Sequence, residues 1–198
     1  MDKLKAGIAV YNTQTDEVAL MRMVDGQVCF TSAKMSQGGE VEIEDIGMNL
    51  ADCREATTAE KIAMQKAMNN QNLVWDSYRK TIQESRFTPK NGDYVRVSIL
   101  GEDIISGVFK CFDDNGDIVM YCQLRKDGTL GYSQYEVIGP KENYQFQIIG
   151  SHARLSLTDA LAKEGPVWNN RRKCLEYIED GAPANKGHRK YFYINECM

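Results

Sequence analysis

Two stretches of this chain nearly coincide: LVWDSYRKTI at residues 73–82 and PVWNNRRKCL at residues 166–175. Aligned on Trp75 and Trp168, they match Val74 with Val167, Arg79 with Arg172, Lys80 with Lys173 and Ile82 with Leu175, and Asp76 falls on Asn169. Upstream, Ala67-Met68 falls on Ala160-Leu161. All of these pairs are 93 residues apart. Linked agreement at this many positions points to an internal repeat.

The likeness extends toward the N-terminus. DGQVCF (Asp25 to Phe30) resembles NGDIVM (Asn115 to Met120) at an offset of 90. Each is a turn dipeptide followed by apolar residues, a hairpin signal. Gly7-Ile8-Ala9-Val10 can be set against Gly92-Asp93-Tyr94-Val95 at an offset of 85. Offsets that grow along the chain are expected if loops of the second copy are longer. The reading is one module written twice, over 1–84 and 85–180, followed by a C-terminal loop and strand over 181–198. The competing reading is two β-rich domains that hold similar turns independently.

Residues 4–11, 17–24, 27–32 and 41–46 read as strands, the last by alternation of apolar and acidic residues in VEIEDI. Thr57 and Glu60 form a capping box. Ile62, Met64, Ala67 and Met68 then give a helix an apolar face, and Asn69 to Asn72 end it. The tryptophan segment reads as one strand to Gln83. SRFTPKNG (85–92) marks the module boundary. The second half repeats the order, with strands over 93–100, 103–112, 117–124, 130–138 and 144–150. A helix over 157–164 is capped by Ser156 and Asp159 and stopped by Gly165-Pro166. The expected fold class is α+β, mostly β: two tandem small β-barrel modules, each followed by a short helix and a Trp-containing strand. Trp75 and Trp168 are read as structural anchors, fastening each helix at an open end of its barrel, because an indole offers more surface to bury than any other side chain.

Composition narrows the function. The net charge of −4 disfavours a general binder of phosphate backbones, which needs a basic surface. No apolar run approaches the ~18 residues that span a bilayer, and MDKLKAGIAV is too polar for a secretory signal. The expected location is the cytoplasm. Six cysteines form no C-x-x-C pair, and only His152 and His188 accompany them, so no metal site is expected. Cys29 and Cys122 lie in apolar runs and read as buried free thiols.

Catalytic and phosphate-binding motifs are absent, including G-x-S-x-G, H-E-x-x-H, the P-loop and G-x-G-x-x-G. Acid groups at Glu42/Glu44/Asp45 and Asp113/Asp114/Asp117 lack the spacing of a calcium loop. No catalytic residue and no cofactor is expected. The candidate binding residues are basic and aromatic: Arg171, Arg172 and Lys173, with Lys186, His188, Arg189, Lys190, Tyr191 and Tyr193 in the tail. Aromatics stack on bases while cations meet phosphates. The plainer reading of the tail is a charged edge strand that resists aggregation.

A short capped helix, then Trp168, Asn169, Lys173 and Leu175, and more loosely Trp75, Asp76, Lys80 and Ile82, resembles a recurring segment of small proteins of Bacteroidetes and their phages. In those, a barrel-like module resembling an SH3 fold precedes a helix and a W-N-x-x-x-K-x-L stretch, often in tandem. The likeness covers the end of each module, and the barrel strands only by type. The first copy departs from it in Asp76 and in lacking a glycine before Trp75. The resemblance implies SH3-like barrels and a phage or mobile-element setting, and so a host-cytoplasm or virion location. It brings no catalytic residues.

Together these readings lead to an expected non-enzymatic binding or assembly protein with a protein partner. The alternatives are nucleic-acid binding through the basic-aromatic segments, and capture of a small nucleotide between the modules as a phage anti-defence protein.

Overall fold

The computed structural model describes residues 4–84, 87–132 and 135–177. In the first half the chain forms β1 (Ala9–Asn12), β2 (Glu17–Asp25), β3 (Val28–Met35), β4 (Val41–Glu42), β5 (Gly47–Asn49) and β6 (Cys53–Glu55). Helix α1 (Thr58–Asn70), β7 (Leu73–Asp76) and β8 (Thr81–Glu84) follow. The second half forms β9 (Tyr94–Ile99), β10 (Glu102–Phe112), β11 (Asp117–Arg125), β12 (Leu130–Gly131), β13 (Glu136–Pro140) and β14 (Gln145–Ile148). Helix α2 (Ser151–Glu164), β15 (Pro166–Asn169) and β16 (Cys174–Tyr177) complete it. The fold is α+β and mostly β.

By contact the chain divides into two units. One is Met1–Phe87 with Ser98–Glu102 and Glu142–Gln145; the other is Thr88–Val97, Asp103–Lys141 and Phe146–Met198.

Two six-stranded sheets have the same topology. One runs β4-β3-β2-β1-β6 with β5 on β3; the other runs β12-β11-β10-β9-β14 with β13 on β11. The first is rolled on itself. In its order β3 and β6 are separated by β2 and β1, so a flat sheet would hold them roughly 14 Å apart, at about 4.8 Å per strand. Yet the sulfurs of Cys29 on β3 and Cys53 on β6 lie 3.8 Å apart.

Alternation along each strand gives this sheet two buried faces. Val10, Ala19, Met21, Cys29, Met48 and Cys53 fill the inside of the roll. Ala9, Val18, Leu20 and Ala33 face the other way and pack with Met64 and Met68 of α1 and with Trp75. The helix thus covers a face of the sheet rather than the open end expected from sequence.

The duplication can be followed bond by bond. Gly7 N–H donates to Met21 O at 2.7 Å, and Gly92 N–H donates to Phe109 O at 2.8 Å. Both glycines have positive φ, 98° and 84°, which a side chain would strain. Both long hairpins carry register shifts at matching places, after Leu20 and Met21 in β2 and after Val108 and Phe109 in β10. Met21 opposes Thr31 where Phe109 opposes Met120. Phe30 therefore corresponds to Val119, at an offset of 89. The turn-based offset of 90 is corrected by one, because the second hairpin turns through Asp114-Asn115-Gly116 and the first through Gly26-Gln27 only.

The core cluster of the second unit comprises Tyr94, Val108, Cys122, Ile149, Leu157, Leu161, Trp168 and Leu175. By these registers, by the matching bonds from Ala56 N–H to Ala9 O and from Ile149 N–H to Tyr94 O, and by the 93-residue offset of the helix and tryptophan segment, its counterparts are Ala9, Leu20, Ala33, Ala56, Met64, Met68, Trp75 and Ile82. All eight lie in, or packed against, one cluster of the first unit. Only the tryptophan is the same residue in both.

The repeated stretch forms a hairpin, not the single strand expected. Trp75 pairs with Ile82 and Asp76 with Thr81; Trp168 pairs with Leu175 and Asn169 with Cys174. Asp76 Oδ1 accepts from the backbone N–H of Tyr78 and Arg79, at 3.0 and 2.8 Å. Asn169 Oδ1 accepts from Arg171 and Arg172, at 3.0 and 3.1 Å. Lys80 and Lys173 then take the left-handed conformation, with φ 58° and 54°, and each donates its N–H to the carbonyl of Asp76 or Asn169. Only a short side chain with an acceptor oxygen can hold such a turn, which explains Asp/Asn at that position.

Three other expectations are corrected. Helix α2 begins at Ser151, not 157, with Gly150 as an N-cap lacking a side-chain bond; Ser156 instead donates to His152 O at 3.2 Å. VEIEDI joins the β3 ladder only through Val41 and Glu42, although Ile46 O also accepts from the Thr31 backbone N–H at 3.1 Å. Beyond them the Thr31 hydroxyl shares its one proton between the carbonyls of Glu44 and Ile46, at 3.3 and 3.4 Å, and Ile43 is exposed. Residues 130–138 split into β12 and β13, both on β11. The capping box of Thr57 and Glu60 is present as read.

Candidate functional site

The first unit carries a groove of about 470 Å³ between α1 and the hairpin loops. Its floor is apolar: Val18, Met35, Ala63 and Ala67. They line up because Ala63 and Ala67 are one helical turn apart, while Val18 and Met35 are cross-strand partners. Small alanines on α1 leave the space that a larger side chain would fill.

The polar rim is ordered. Tyr11 donates its hydroxyl to Asp16 at 2.6 Å, and Gln37 Nε2 donates to the same carboxylate at 3.3 Å. The hydrogen bond to Asp16 raises the Tyr11 phenol above its ordinary value. Asp16 sits at positive φ, 56°, in the turn after β1. Both of its donors are neutral, and it has no ion pair among the described residues. Glu60 is different. Arg54 meets it with two nitrogens at 2.6 and 2.8 Å, and the Thr57 N–H adds a third bond at 2.7 Å. Arg54 first, with help from Thr57, holds the Glu60 carboxyl down at about 2. The Arg54 guanidinium also lies 4.1 Å over the Tyr11 ring. Lys66 stands 3.9 Å from Glu142. Among the described residues, the one rim charge without an opposite partner is therefore the Asp16 carboxylate.

Beneath α1 a buried polar chain fixes the helix. Gln65 accepts from Leu100 N–H at 2.8 Å and donates to Asn69 at 3.0 Å. Asn69 donates to the carbonyls of Glu142 and Tyr144. Lys61 bridges Glu102 at 2.6 Å and Glu55 at 2.8 Å. Burial alone would lower its ammonium; the bonds to Glu102 and Glu55 reverse that and raise it.

The residues singled out in sequence lie elsewhere. Trp75 is fully buried, and its indole N–H meets Gly7 O at 3.4 Å. Trp168 is 7% exposed, its ring 4.8 Å from that of Tyr121, and its buried Nε1 has no partner among the described residues. Each indole lies in the core cluster of its unit. Tyr121 in turn meets Tyr135 edge-on at 5.9 Å, with Lys110 Nζ 3.2 Å over the Tyr135 ring. The three residues of the basic triplet have different surroundings. Arg172 is 3.6 Å from the buried Glu176 carboxylate. Lys173 holds Asn170 Oδ1 at 2.9 Å, with its side chain across Gly92. Arg171 is exposed, with no ion pair among the described residues. Lys186, His188, Arg189, Lys190, Tyr191, Tyr193 and the expected tail strand lie outside the described residues.

Sequence reasoning missed the groove. Tyr11 and Asp16 are five residues apart, but Met35 and Ala63 are distant from them and from each other in the chain, and the four belong to no motif. Only the small-residue spacing Ala63-x-x-x-Ala67, on the face beside Met64 and Met68, hinted at a helix flank with room beside it. No group of three or more His, Cys, Asp or Glu able to hold a metal occurs among the described residues. No described helix is long and apolar enough to cross a membrane. Neither a protein-family model nor a curated protein matches this sequence.

Proposed function

We propose that this is a non-enzymatic binding protein working through protein–protein contacts, and that the groove beside α1 receives a segment of the partner. The segment carries an aliphatic side chain followed by a lysine or arginine. The single observation that supports this is the pairing, in one groove, of an apolar floor with the uncompensated Asp16 carboxylate. An aliphatic group gains by leaving water on Val18, Met35, Ala63 and Ala67, and a cation beside it meets the carboxylate. The resemblance to tandem barrel proteins fits an adaptor or assembly role in a phage or mobile-element setting.

A displayed random-peptide library tests the reading. Peptides enriched on the full chain should share an aliphatic-basic pair. They should lose binding to Ala63→Trp, which fills the groove, and to Asp16→Lys, which inverts its rim. Peptides that bind both variants as tightly as the parent would contradict it.

One observation favours a second reading, nucleotide or nucleic-acid binding: the Tyr135, Tyr121 and Trp168 rings in sequence, with Lys110 against the first. Its support is thinner, because Arg172 and Lys173 are engaged within the fold. Single-stranded oligonucleotides titrated at low salt decide it. Affinity that falls with salt supports this reading, and no binding at low salt ends it.

A further inference from the structure

Inside the roll of the first sheet, Cys29 and Cys53 are in direct contact through their sulfurs at 3.8 Å. Both side chains are buried, 0% and 9% exposed. They come from strands that share no ladder: β3 pairs with β2, β4 and β5, while β6 pairs with β1. No other sulfurs of the described cysteines are in contact. The module does not need thiols here. By the hairpin registers the second unit places Ile118 where the first has Cys29, and by the matching Ala56–Ala9 and Ile149–Tyr94 backbone bonds it places Phe146 where the first has Cys53; Phe146 packs against Phe109 and Phe112 at 6.3 and 5.8 Å. An apolar filling is thus available to this fold, and the first copy holds a facing thiol pair instead.

We propose that Cys29 and Cys53 are a disulfide-forming pair that links β3 to β6 when the protein meets a small-molecule disulfide such as oxidised glutathione. One cysteine, as thiolate, attacks the oxidant disulfide and releases one reduced thiol, leaving a mixed disulfide. The second cysteine attacks the protein sulfur of that mixed disulfide and releases the second reduced thiol. Both cysteines lose their protons; two electrons pass to the oxidant, which leaves as two thiols. The closed loop, 29–53, contains Met35, Ser36, Gln37 and Gly39, the strand-side wall of the groove. The cross-link restricts the unfolded chain and so stabilises this unit.

Access is the kinetic obstacle. Burial, then the neighbouring Cys29, push the Cys53 thiol up to about 12. Oxidation of the folded protein should therefore be slow at neutral pH and speed up about tenfold per pH unit from 7 to 9.

The test removes that obstacle by refolding the full chain from urea in a glutathione redox buffer to equilibrium. Free thiols are then alkylated, and the protein is digested with trypsin for mass spectrometry. Cleavage after Arg22, Lys34 and Arg54 places Cys29 in peptide 23–34 and Cys53 in peptide 35–54. The expected product is these two peptides joined, two hydrogens lighter than their sum, with the other four cysteines alkylated. The linked protein should melt several degrees higher than the reduced one, and Cys29→Ser and Cys53→Ser should each abolish both effects. Pairing of Cys29 or Cys53 with another cysteine, or refolding to the native state with both free while the oxidant is in excess, overturns the proposal.

Discussion

Lys80 and Lys173 hold the same left-handed backbone conformation 93 residues apart, each closing a hairpin in which a tryptophan faces an aliphatic residue. A non-glycine residue there costs roughly 1–2 kcal/mol against the ordinary helical region. Lys80→Gly and Lys173→Gly should therefore leave stability unchanged or raise it by up to about 1 kcal/mol. Valine at either position should lower it by about 1 kcal/mol or more, because β-branched side chains fit this region poorly. Urea unfolding measures both.

Asp76 and Asn169 tie the same turns through two backbone N–H bonds each. Alanine at either site leaves these amides to water and should cost about 1 kcal/mol. Asp76→Asn should fall within about 0.5 kcal/mol of the parent, since the second copy is already built that way. A large loss on Asp76→Asn would show that the charge, not the acceptor geometry, holds the first turn.

The two indoles differ in one bond. Trp75 donates to Gly7 O, whereas Trp168 Nε1 has no partner among the described residues. Phenylalanine at 75 removes ring volume and strands a carbonyl, and should cost about 2–4 kcal/mol. The same change at 168 removes a buried orphan donor along with the volume and should cost about 1 kcal/mol less. Equal losses in thermal unfolding would contradict this.

Glu60 gives acid sensitivity to the first unit. Its carboxyl is held at about 2, below the ordinary 4.5, by Arg54 and the Thr57 N–H. A depressed folded-state value means stability that is complete above the unfolded-state value and lost as pH falls through 4.5 toward 2. With the side chain 23% exposed, solvent screening reduces the effect to on the order of 1 kcal/mol. Glu60→Gln should flatten that part of the stability–pH curve and lower stability at pH 7. A curve with unchanged slope below pH 5 would contradict this.

The repeat was legible because its end is held by local chemistry. A tryptophan, an Asx turn and a left-handed lysine must stand at fixed spacing, so they survive as letters. The rest of the shared core was not legible. Ala9 became Tyr94, Ala56 became Ile149, and Met64 and Met68 became leucines. Packing asks only that total volume be filled, so seven of eight positions changed identity. The VEIEDI alternation misled because alternation reports faces, not hydrogen-bond partners, and β3 accepts only two of those residues as a ladder. The start of α2 was hidden by Gly150, which caps without a side-chain bond. The groove depends on residues from β1, β2, β3 and α1, so no window of sequence contains it. The tail that drew attention for its basic and aromatic residues lies beyond the described part of the chain.

The central claim is that one hairpin-bearing module occurs twice in the same register. Nuclear Overhauser spectra of the isotope-labelled full chain test it most directly. The account predicts cross-strand contacts from Trp75 to Ile82 and from Trp168 to Leu175, and a strong intraresidue amide-to-Hα signal, the mark of positive φ, at both Lys80 and Lys173. An extended-chain signal at either lysine, or a tryptophan contact displaced by one residue in one copy alone, would contradict it.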